Sequence, residues 1–262
     1  MSAQSESIFV SVRGRKLEVQ RITGPGGAAR TLVFLHEGLG SVAMWRDFPQ
    51  QAAQATGCAA VVYSRYGHGR SDVLGESRRV DYMHVEALEV LPELLARLEV
   101  PDPVLVGHSD GGSIALIHAA AHPEVRGLVL MAPHVFVEDL TVKSIAEAKT
   151  TFERTDLPQK LARYHADAAK TFRGWNDIWL HADFRAWNIE ECLPSVRCPV
   201  LAIQGFDDEY GTMAQLEAIA RQTGGPIELL RLSDCRHSPH RDQPRAVLEA
   251  TARFVDRLDS GA

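Results

Sequence analysis

The 262-residue sequence contains few cysteines, and they follow no pattern that would pair them. Their scattered positions lack the short paired spacing that a zinc site requires. A cytoplasmic protein with reduced thiols is therefore the simplest expectation, and no metal is predicted. The four residues are Cys58, Cys192, Cys198 and Cys235.

Runs of basic residues and long apolar segments are also missing. The formal net charge is −6 and no Lys/Arg cluster stands out, so neither nucleic acid nor a membrane is expected as a partner. No apolar run reaches the ~20 residues of a transmembrane helix. The first fourteen residues lack the apolar centre of a secretory signal peptide. We expect a small-molecule partner, and a homodimer is left open.

What is present suits one globular α/β protein, with 45% hydrophobic and 24% charged residues. After an antiparallel hairpin around Gly14, strands alternate with helices, which predicts right-handed crossovers and a mostly parallel, doubly wound sheet of about eight strands. Strands are predicted at 7–12, 16–22, 31–35, 59–63, 104–106, 127–131, 199–203 and 227–232, a turn at 24–29, and helices at 81–98, 114–121, 212–222 and 244–258.

The helix predicted at 81–98 carries an apolar stripe at helical spacing, which indicates one face turned towards a core. Pro92 should kink this helix or begin a second segment. The stripe consists of Val85, Leu88, Leu91, Leu95 and Leu98.

The alternation stops at Val135 and resumes only near Pro199. The intervening sequence is helix-like, and it holds three of the four tryptophans. We therefore predict a core domain of residues 1–134 and 196–262 with a helical cap inserted at 135–195. The tryptophans, which form either the core of the cap or contacts with a substrate, are Trp175, Trp179 and Trp187.

Residues 107–111 match the pattern G-x-S-x-G, between a predicted strand and a predicted helix. Such a serine occupies a strained turn, with its hydroxyl raised above the sheet beside the helix N-terminus. Gly107 and Gly111 permit the close crossing of strand and helix. The pattern alone occurs often by chance, and its position between these elements makes Ser109 the candidate nucleophile.

A serine nucleophile needs a base, and the base needs a carboxylate that orients it. In a doubly wound sheet these groups must follow the carboxyl ends of strands. Acids at 207–209 follow one such strand, and histidines at 237 and 240 follow the next. The chain order serine, acid, histidine is that of α/β-hydrolases.

Nearly the whole chain resembles the serine hydrolases of the α/β-hydrolase fold. The resemblance rests on the elbow at 107–111 and on the loops 36–41, 65–72, 205–208 and 235–240. It implies Asp208 as the acid and His237 as the base, although Arg236 replaces a usual glycine. It also implies an oxyanion hole made by the N–H of Asp110 and one from Gly38 or Leu39. No cofactor is implied.

Other residues have plainer expected roles. Asp207 should brace its turn, and His240 should form loop or pocket wall. His36 should hold the loop 36–41, which the resemblance makes the oxyanion loop, and His108 should be structural. Three residues of the loop after the fourth predicted strand should brace a tight turn: His68, Arg70 and Asp72.

The predicted function is hydrolysis of a small carboxylic ester or lactone through an acyl-enzyme. Haloalkane dehalogenases and epoxide hydrolases of this fold use an aspartate nucleophile, so Ser109 argues against both. Three alternatives stay open: a carbon–carbon bond hydrolase of aromatic ring-cleavage products, an acyltransferase, and a ligand-binding protein without turnover.

Two acids bear on specificity. Glu37 stands where the family often has glycine, and it is a candidate for substrate binding at the pocket mouth, as are Trp175 and Trp179 in the cap. Asp110 either gains from the helix dipole or binds a cation on the substrate. The sequence Ser-Asp-Gly-Gly resembles that of valacyclovir hydrolase, in which this aspartate binds an α-amino group, so an amino-acid ester hydrolase is a further alternative.

Overall fold

A computed structural model describes residues 4–25 and 30–260, without the side chains of 259 and 260. Eight strands form one sheet in the order β1-β2-β4-β3-β5-β6-β7-β8. Most of the predicted turn at 24–29 lies outside the described residues. The strands are β1 (Ser5–Val12), β2 (Arg15–Ile22), β3 (Thr31–Leu35), β4 (Ala59–Tyr63), β5 (Val104–His108), β6 (Gly127–Met131), β7 (Val200–Gly205) and β8 (Ile227–Leu232).

The sheet is antiparallel at one edge and parallel elsewhere. β1 pairs with β2 and β2 pairs with β4 in antiparallel register, while β3 to β8 pair in parallel. Every residue of the central strands β5 and β6 is buried, as expected for parallel strands covered on both faces. The carboxyl ends of β3, β5, β6, β7 and β8 therefore meet along one edge of the sheet.

Helices cover both faces of the sheet. On one face α1 packs against α10, and on the other α4 lies beside the segmented helix that precedes β5. No helix within the described ranges is both long and apolar enough to cross a bilayer. Outside the segment between β6 and β7, which contains α5 to α7, the helices are α1 (Phe48–Thr56), α2 (Tyr82–Val85), α3 (Leu91–Leu98), α4 (Asp110–Ala121), α8 (Ala214–Gln222), α9 (Pro239–Asp242) and α10 (Pro244–Ser260).

The helix predicted at 81–98 is divided by a π-helical turn at Glu86–Val90, which lies between α2 and α3. A π turn adds a residue and rotates the face that follows. As a result Leu88, predicted to lie on the buried stripe, is 43% exposed, and Glu86 and Leu94 are buried instead. Pro92 lies in the first turn of α3, as a second segment requires.

Helices cross the carboxyl edge of the sheet between β6 and β7. A bridge between Phe136 and Asn188 brings the two ends of this segment together. The boundaries of a cap domain at 135–195 remain a prediction. The segment contains α5 (Asp139–Arg154), α6 (Leu157–Leu161), α7 (Ala168–Trp179) and the 3₁₀ helices Ala182–Ala186 and Glu190–Ser195.

Candidate active site

Ser109 occupies a strained turn between β5 and α4. Its φ is +53°, in a region unfavourable for residues with a side chain, and its N–H donates to the Met131 carbonyl at 2.9 Å. A Cβ on Gly107 would lie 2.4 Å from the Gly111 carbonyl oxygen, and one on Gly111 would lie 2.0 Å from that of Leu35. Glycine is therefore required on both sides of the turn.

A hydrogen-bonded chain runs from Ser109 through His237 to Asp208. The Nε2 of His237 lies 2.9 Å from Ser109 Oγ, and its Nδ1 lies 2.8 and 3.0 Å from the two carboxylate oxygens of Asp208. Because a carboxylate only accepts, Nδ1 carries the proton, and neutral Nε2 is free to accept the serine hydroxyl. This arrangement is that of a nucleophile, a base and an orienting acid.

The Asp208 carboxylate is fixed by donors around it. It accepts the N–H of Tyr210 at 2.8 Å and of Gly211 at 3.2 Å, and the Gln204 amide at 2.8 Å. Neighbouring Asp207 is exposed, and its backbone N–H donates to the Cys235 carbonyl. The structure therefore brings Asp208, and not Asp207, to the histidine.

The negative charge of Asp208 makes the imidazole of His237 more basic. Burial acts to lower the pKa of His237, but the Asp208 carboxylate outweighs it and raises this pKa above the ordinary value. Burial acts to raise the pKa of Asp208, and the charge and hydrogen bond of His237 reverse that effect and lower it. Asp208 therefore stays ionised, which its predicted role as the orienting acid requires.

The loop after β3 is held by its carbonyl groups. Arg65 donates to the Glu37 carbonyl at 2.8 Å, His68 to that of Gly38 at 3.0 Å, and His165 to that of Leu39 at 2.9 Å. The C=O and N–H of one peptide point in opposite directions. The bonds to the carbonyls of Glu37 and Gly38 therefore turn the N–H groups of Gly38 and Leu39 away from the Arg65 and His68 side chains. Within the described ranges, no group accepts those N–H groups or that of Asp110.

A cavity of about 250 Å³ opens beside Ser109. Of the residues predicted for the site, Asp208 alone does not line it, since this side chain lies behind His237. The cavity brings together Glu37, Gly38, Leu39, Ser109, Asp110, Trp175, Trp179 and His237.

A larger cavity, of about 470 Å³, lies at the opposite edge of the sheet near the start of β7. Its lining residues include Cys198 and His122. Burial raises the pKa of Cys198 to about 11, so this thiol stays protonated and is a poor nucleophile. Size therefore does not identify the candidate site.

The two predicted specificity acids differ in their surroundings. The Glu37 side chain is 20% exposed and lies 3.6 Å from His108 Nδ1. Burial acts to raise the pKa of Glu37, but His108 and the charge of Arg241 outweigh it and hold this pKa well below the ordinary value. Glu37 is therefore an ionised group at the cavity.

Asp110 is more deeply enclosed. Its Oδ2 accepts the Tyr82 hydroxyl at 2.7 Å and lies 3.8 Å from the Arg65 guanidinium. Burial and the charge of Asp110 raise the pKa of Tyr82 well above its ordinary value, so this phenol stays protonated. The other oxygen, Oδ1, is buried, and no described residue donates to it.

Residues 32–250 match the model of a family described as the alpha/beta hydrolase family. The chain belongs to the alpha/beta hydrolase family. The predicted fold class is confirmed by this match and by the eight-stranded, mostly parallel sheet. The family and its relatives identify the chain as a hydrolase.

Three known proteins illustrate the relationship. Human serine hydrolase BPHL is 28% identical over 89% of this alpha/beta hydrolase and 81% of its own length. Proline iminopeptidase from Saccharolobus solfataricus is 24% identical over 96% of this chain and 97% of its own. The crystal structure of haloalkane dehalogenase DbeA from Bradyrhizobium elkani has a TM-score of 0.79, with 18% identity and coverage of 99% and 100%. The last comparison shows a shared fold alone.

In this alpha/beta hydrolase two tryptophans of the helical segment between β6 and β7 are both buried and part of the cavity wall. A Cβ on Gly38 would lie 2.1 Å from Cδ1 of Trp175, which therefore packs directly on the oxyanion loop. Trp179 packs on Phe184 at a ring distance of 4.9 Å. Trp187 belongs to the same aromatic cluster but does not line the cavity.

The histidines expected to be structural do hold loops. His36 Nδ1 donates to the Glu37 carbonyl at 2.7 Å, and His108 Nε2 donates to the His237 carbonyl at 2.6 Å. His68 has a contact beyond its own turn, because its ring lies 3.2 Å from the Tyr66 carbonyl of that turn and 3.0 Å from the Gly38 carbonyl of the oxyanion loop. His240 is buried against Trp45 and does not line the cavity.

The remaining predicted bracing residues act on the hairpin. The Asp72 carboxylate accepts the N–H of Lys16 at 2.7 Å, and the N–H of Arg70 donates to Glu18 at 3.0 Å. This loop therefore connects β2 to the oxyanion loop.

Sequence reasoning missed three residues around the nucleophile. His134 and Tyr210 line the cavity, with rings 5.7 and 4.7 Å from that of His237. His165 connects the helical segment to the oxyanion loop. The strand-end rule could have found His134, which follows β6, whereas no local pattern distinguishes His165.

Proposed function

We propose that this alpha/beta hydrolase cleaves small carboxylic esters or lactones through an acyl-enzyme on Ser109. The observation that carries the proposal is the continuous chain of contacts from Ser109 Oγ to His237 and Asp208, none longer than 3.0 Å. The apolar side of the cavity supports an acyl group as the bound part of the substrate.

In the first half-reaction Ser109 Oγ attacks the carbonyl carbon while His237 Nε2 takes the serine proton. The N–H groups of Asp110 and of Gly38 or Leu39 donate to the oxygen that becomes negative. When the tetrahedral intermediate collapses, the bond to the alcohol breaks and His237 returns the proton to the leaving oxygen.

In the second half-reaction water replaces the alcohol. His237 removes a proton from water as its oxygen attacks the acyl carbon, and the same N–H groups stabilise the second oxyanion. The bond to Ser109 then breaks, Oγ regains the proton, and the carboxylic acid leaves. Throughout, Asp208 stabilises the imidazolium and fixes the tautomer of His237.

Labelling with a fluorophosphonate probe tests the nucleophile. We expect covalent modification of Ser109 in the wild type and none in Ser109→Ala. An unlabelled Ser109 would favour the ligand-binding alternative. Esters of graded chain length and lactones then test the substrate class, and hydrolysis of none of them would contradict the proposal.

Two further reactions use the same triad, and product analysis separates them. A ring-cleavage product that is hydrolysed while simple esters are not would favour the carbon–carbon hydrolase. Adding an acceptor alcohol tests for acyltransfer, because a transferase forms a new ester in preference to the free acid.

A second candidate is an ester hydrolase for substrates with a positive charge, such as amino-acid esters. Two carboxylates, Glu37 and Asp110, line the cavity, and its described lining contains neither lysine nor arginine. The Oδ1 of Asp110 has no donor among the described residues, which favours a cationic ligand there. Arg65 beside Oδ2 opposes it, because its charge already compensates part of that carboxylate.

We also propose a reducing, cytoplasmic setting and a small molecule as the main partner, with a homodimer left open. The free thiols of Cys192, Cys198 and Cys235 support this setting. Analytical ultracentrifugation of the purified chain would determine its oligomeric state.

A further inference from the structure

The backbone around His134 is held so that its ring lies at the cavity. Two residues earlier, Ala132 has a φ of +49°, which is unfavourable for a residue with a Cβ, and its N–H donates to the Ile203 carbonyl at 2.8 Å. Ser113 Oγ donates to the His134 carbonyl at 2.6 Å and accepts its N–H at 3.3 Å. A strained turn and a double clamp therefore set the position of His134.

The ring of His134 lies between the triad and the helical segment. Its centroid is 5.7 Å from that of His237 and 5.2 Å from that of Trp179. The ring forms part of the cavity wall beside Ser109. Its Nδ1 is buried, and no described residue forms a hydrogen bond with it.

Other buried histidines in this chain are bonded differently. Each of five uses a ring nitrogen to hold a backbone carbonyl, as a structural histidine does. The Nδ1 of His240, like that of His134, is buried without a hydrogen-bond partner among the described residues. The His240 ring, however, packs against Trp45 and Phe48 and does not line the cavity. The five bonded residues are His36, His68, His108, His118 and His165. His134 thus combines an unused polar ring with a place at the site.

The ring is uncharged under ordinary conditions. Burial, together with the charge of His237, lowers the pKa of His134 to about 4. A neutral imidazole has one donor and one acceptor nitrogen. A hydroxyl group both donates and accepts, so it can pair with a neutral imidazole in either tautomer, whereas a cation is better served by the Glu37 carboxylate.

We propose that His134 is a specificity-determining residue that forms a hydrogen bond with a hydroxyl group of the substrate. This inference rests on the proposed ester hydrolysis at Ser109. It adds a polar requirement to a cavity whose other walls include Trp175 and Trp179.

Two pairs of isosteric esters test the inference on both sides of the scissile bond. On the acyl side, p-nitrophenyl 3-hydroxybutanoate is compared with p-nitrophenyl 3-methylbutanoate. On the alcohol side, 2-hydroxyethyl butanoate is compared with propyl butanoate. We expect the wild type to favour the hydroxyl-bearing member of at least one pair by about tenfold in kcat/KM, as one buried hydrogen bond provides.

Variants at His134 then identify the partner of the hydroxyl. His134→Leu should abolish the preference, mainly through a higher KM, and His134→Asn should restore part of it because the amide can still form hydrogen bonds. His118→Leu is a matched control, since His118 is equally buried and its pKa is also about 4, but it lies outside the cavity. The control should keep the preference, and melting temperatures show whether each variant is folded.

Some outcomes would overturn the inference and leave the proposed function intact. One is a wild type that cleaves all four esters without favouring a hydroxyl. Another is a folded His134→Leu that keeps the wild-type preference. Failure to cleave any ester, with Ser109 unlabelled by a fluorophosphonate, would instead contradict the proposed function itself.

Discussion

The sheet edge that carries Ser109 and the helical segment that covers it are fixed by different interactions. At the edge, backbone packs directly on backbone. A Cβ on Gly111 would lie 2.0 Å from the carbonyl oxygen of Leu35, and a Cβ on Gly205 would lie 2.0 Å from that of Cys235. The helical segment instead packs through aromatic rings. Its bonds to the loops below include those of His165 and of Thr171, whose hydroxyl donates to the Gly67 carbonyl at 2.7 Å.

Because the two regions are held together differently, substitutions in them should have different effects. Backbone contacts as close as those of the elbow leave no room for adjustment, which suits groups that must keep distances within tenths of an ångström. Side-chain packing tolerates exchange when volume is conserved. Variants at the edge should therefore change the rate on every substrate, and variants in the segment should change which substrate is favoured.

The largest effect is expected at the nucleophile and base. Ser109→Ala or His237→Ala should lower kcat by about 10⁶-fold, because the triad acts as a unit. The double variant should be no worse than either single one. Steady-state kinetics on a small ester measure this, and additive losses in the double variant would contradict a single catalytic unit.

The acid follows in magnitude. Asp208→Asn should cost about 10⁴-fold in kcat, because an amide allows the wrong tautomer of the histidine. Asp207→Asn is the matched control, since that carboxylate is exposed and lies outside the chain of contacts. If Asp207→Asn is the crippling change and Asp208→Asn is mild, the assignment of the acid is wrong.

Asp110 tests whether an edge residue can also govern specificity. Asp110→Asn should lower kcat/KM for amino-acid esters by about 10–100-fold, the value of a charge-assisted hydrogen bond of roughly 1.5–3 kcal/mol. A neutral ester of equal size should be spared, with both assayed below the pKa of the substrate amine. A parallel fall on both esters would show that Asp110 only supports Arg65 and Tyr82.

Trp179 tests the segment in the same way. Trp179→Ala should change the relative kcat/KM of short and long esters by about tenfold and lower the stability by ~3–5 kcal/mol, because a large buried ring is lost. Trp187→Ala should lower stability similarly without changing the ranking, since Trp187 does not line the cavity. If Trp179→Ala lowered kcat/KM equally for every ester, Trp179 would contribute to packing and not to substrate selection.

The smallest effect is expected in the pH profile. His237 must be neutral to act as a base, so kcat/KM should fall as pH falls through its pKa, which Asp208 holds above the ordinary value. Glu209, whose carboxylate accepts the backbone N–H of His237 at 3.2 Å, also raises the pKa of the imidazole. Glu209→Gln should therefore move the acid limb to lower pH. The same change at Glu228, which pairs with Arg257 on the surface, should leave the limb in place.

The sheet, and the contact among the side chains of Ser109, His237 and Asp208, could be predicted from the sequence because both follow from chain direction. Residues after parallel strands must meet at one edge, so Ser109, Asp208 and His237 could be grouped without knowing any angle. Leu88 could not be placed, because the π turn that rotates it gives no periodic signal. The bond from His165 to the Leu39 carbonyl joins residues 126 positions apart and depends on how helices cross the edge.

The contact between Gly38 and Trp175 bears on how such enzymes diversify. With Trp175 Cδ1 only 2.1 Å from where a Cβ would be, any larger residue at position 38 requires a smaller one at 175. These two positions are therefore expected to co-vary among homologues. A chimaera that receives this helical segment from one parent and the oxyanion loop from another should fold well only when both residues are inherited together.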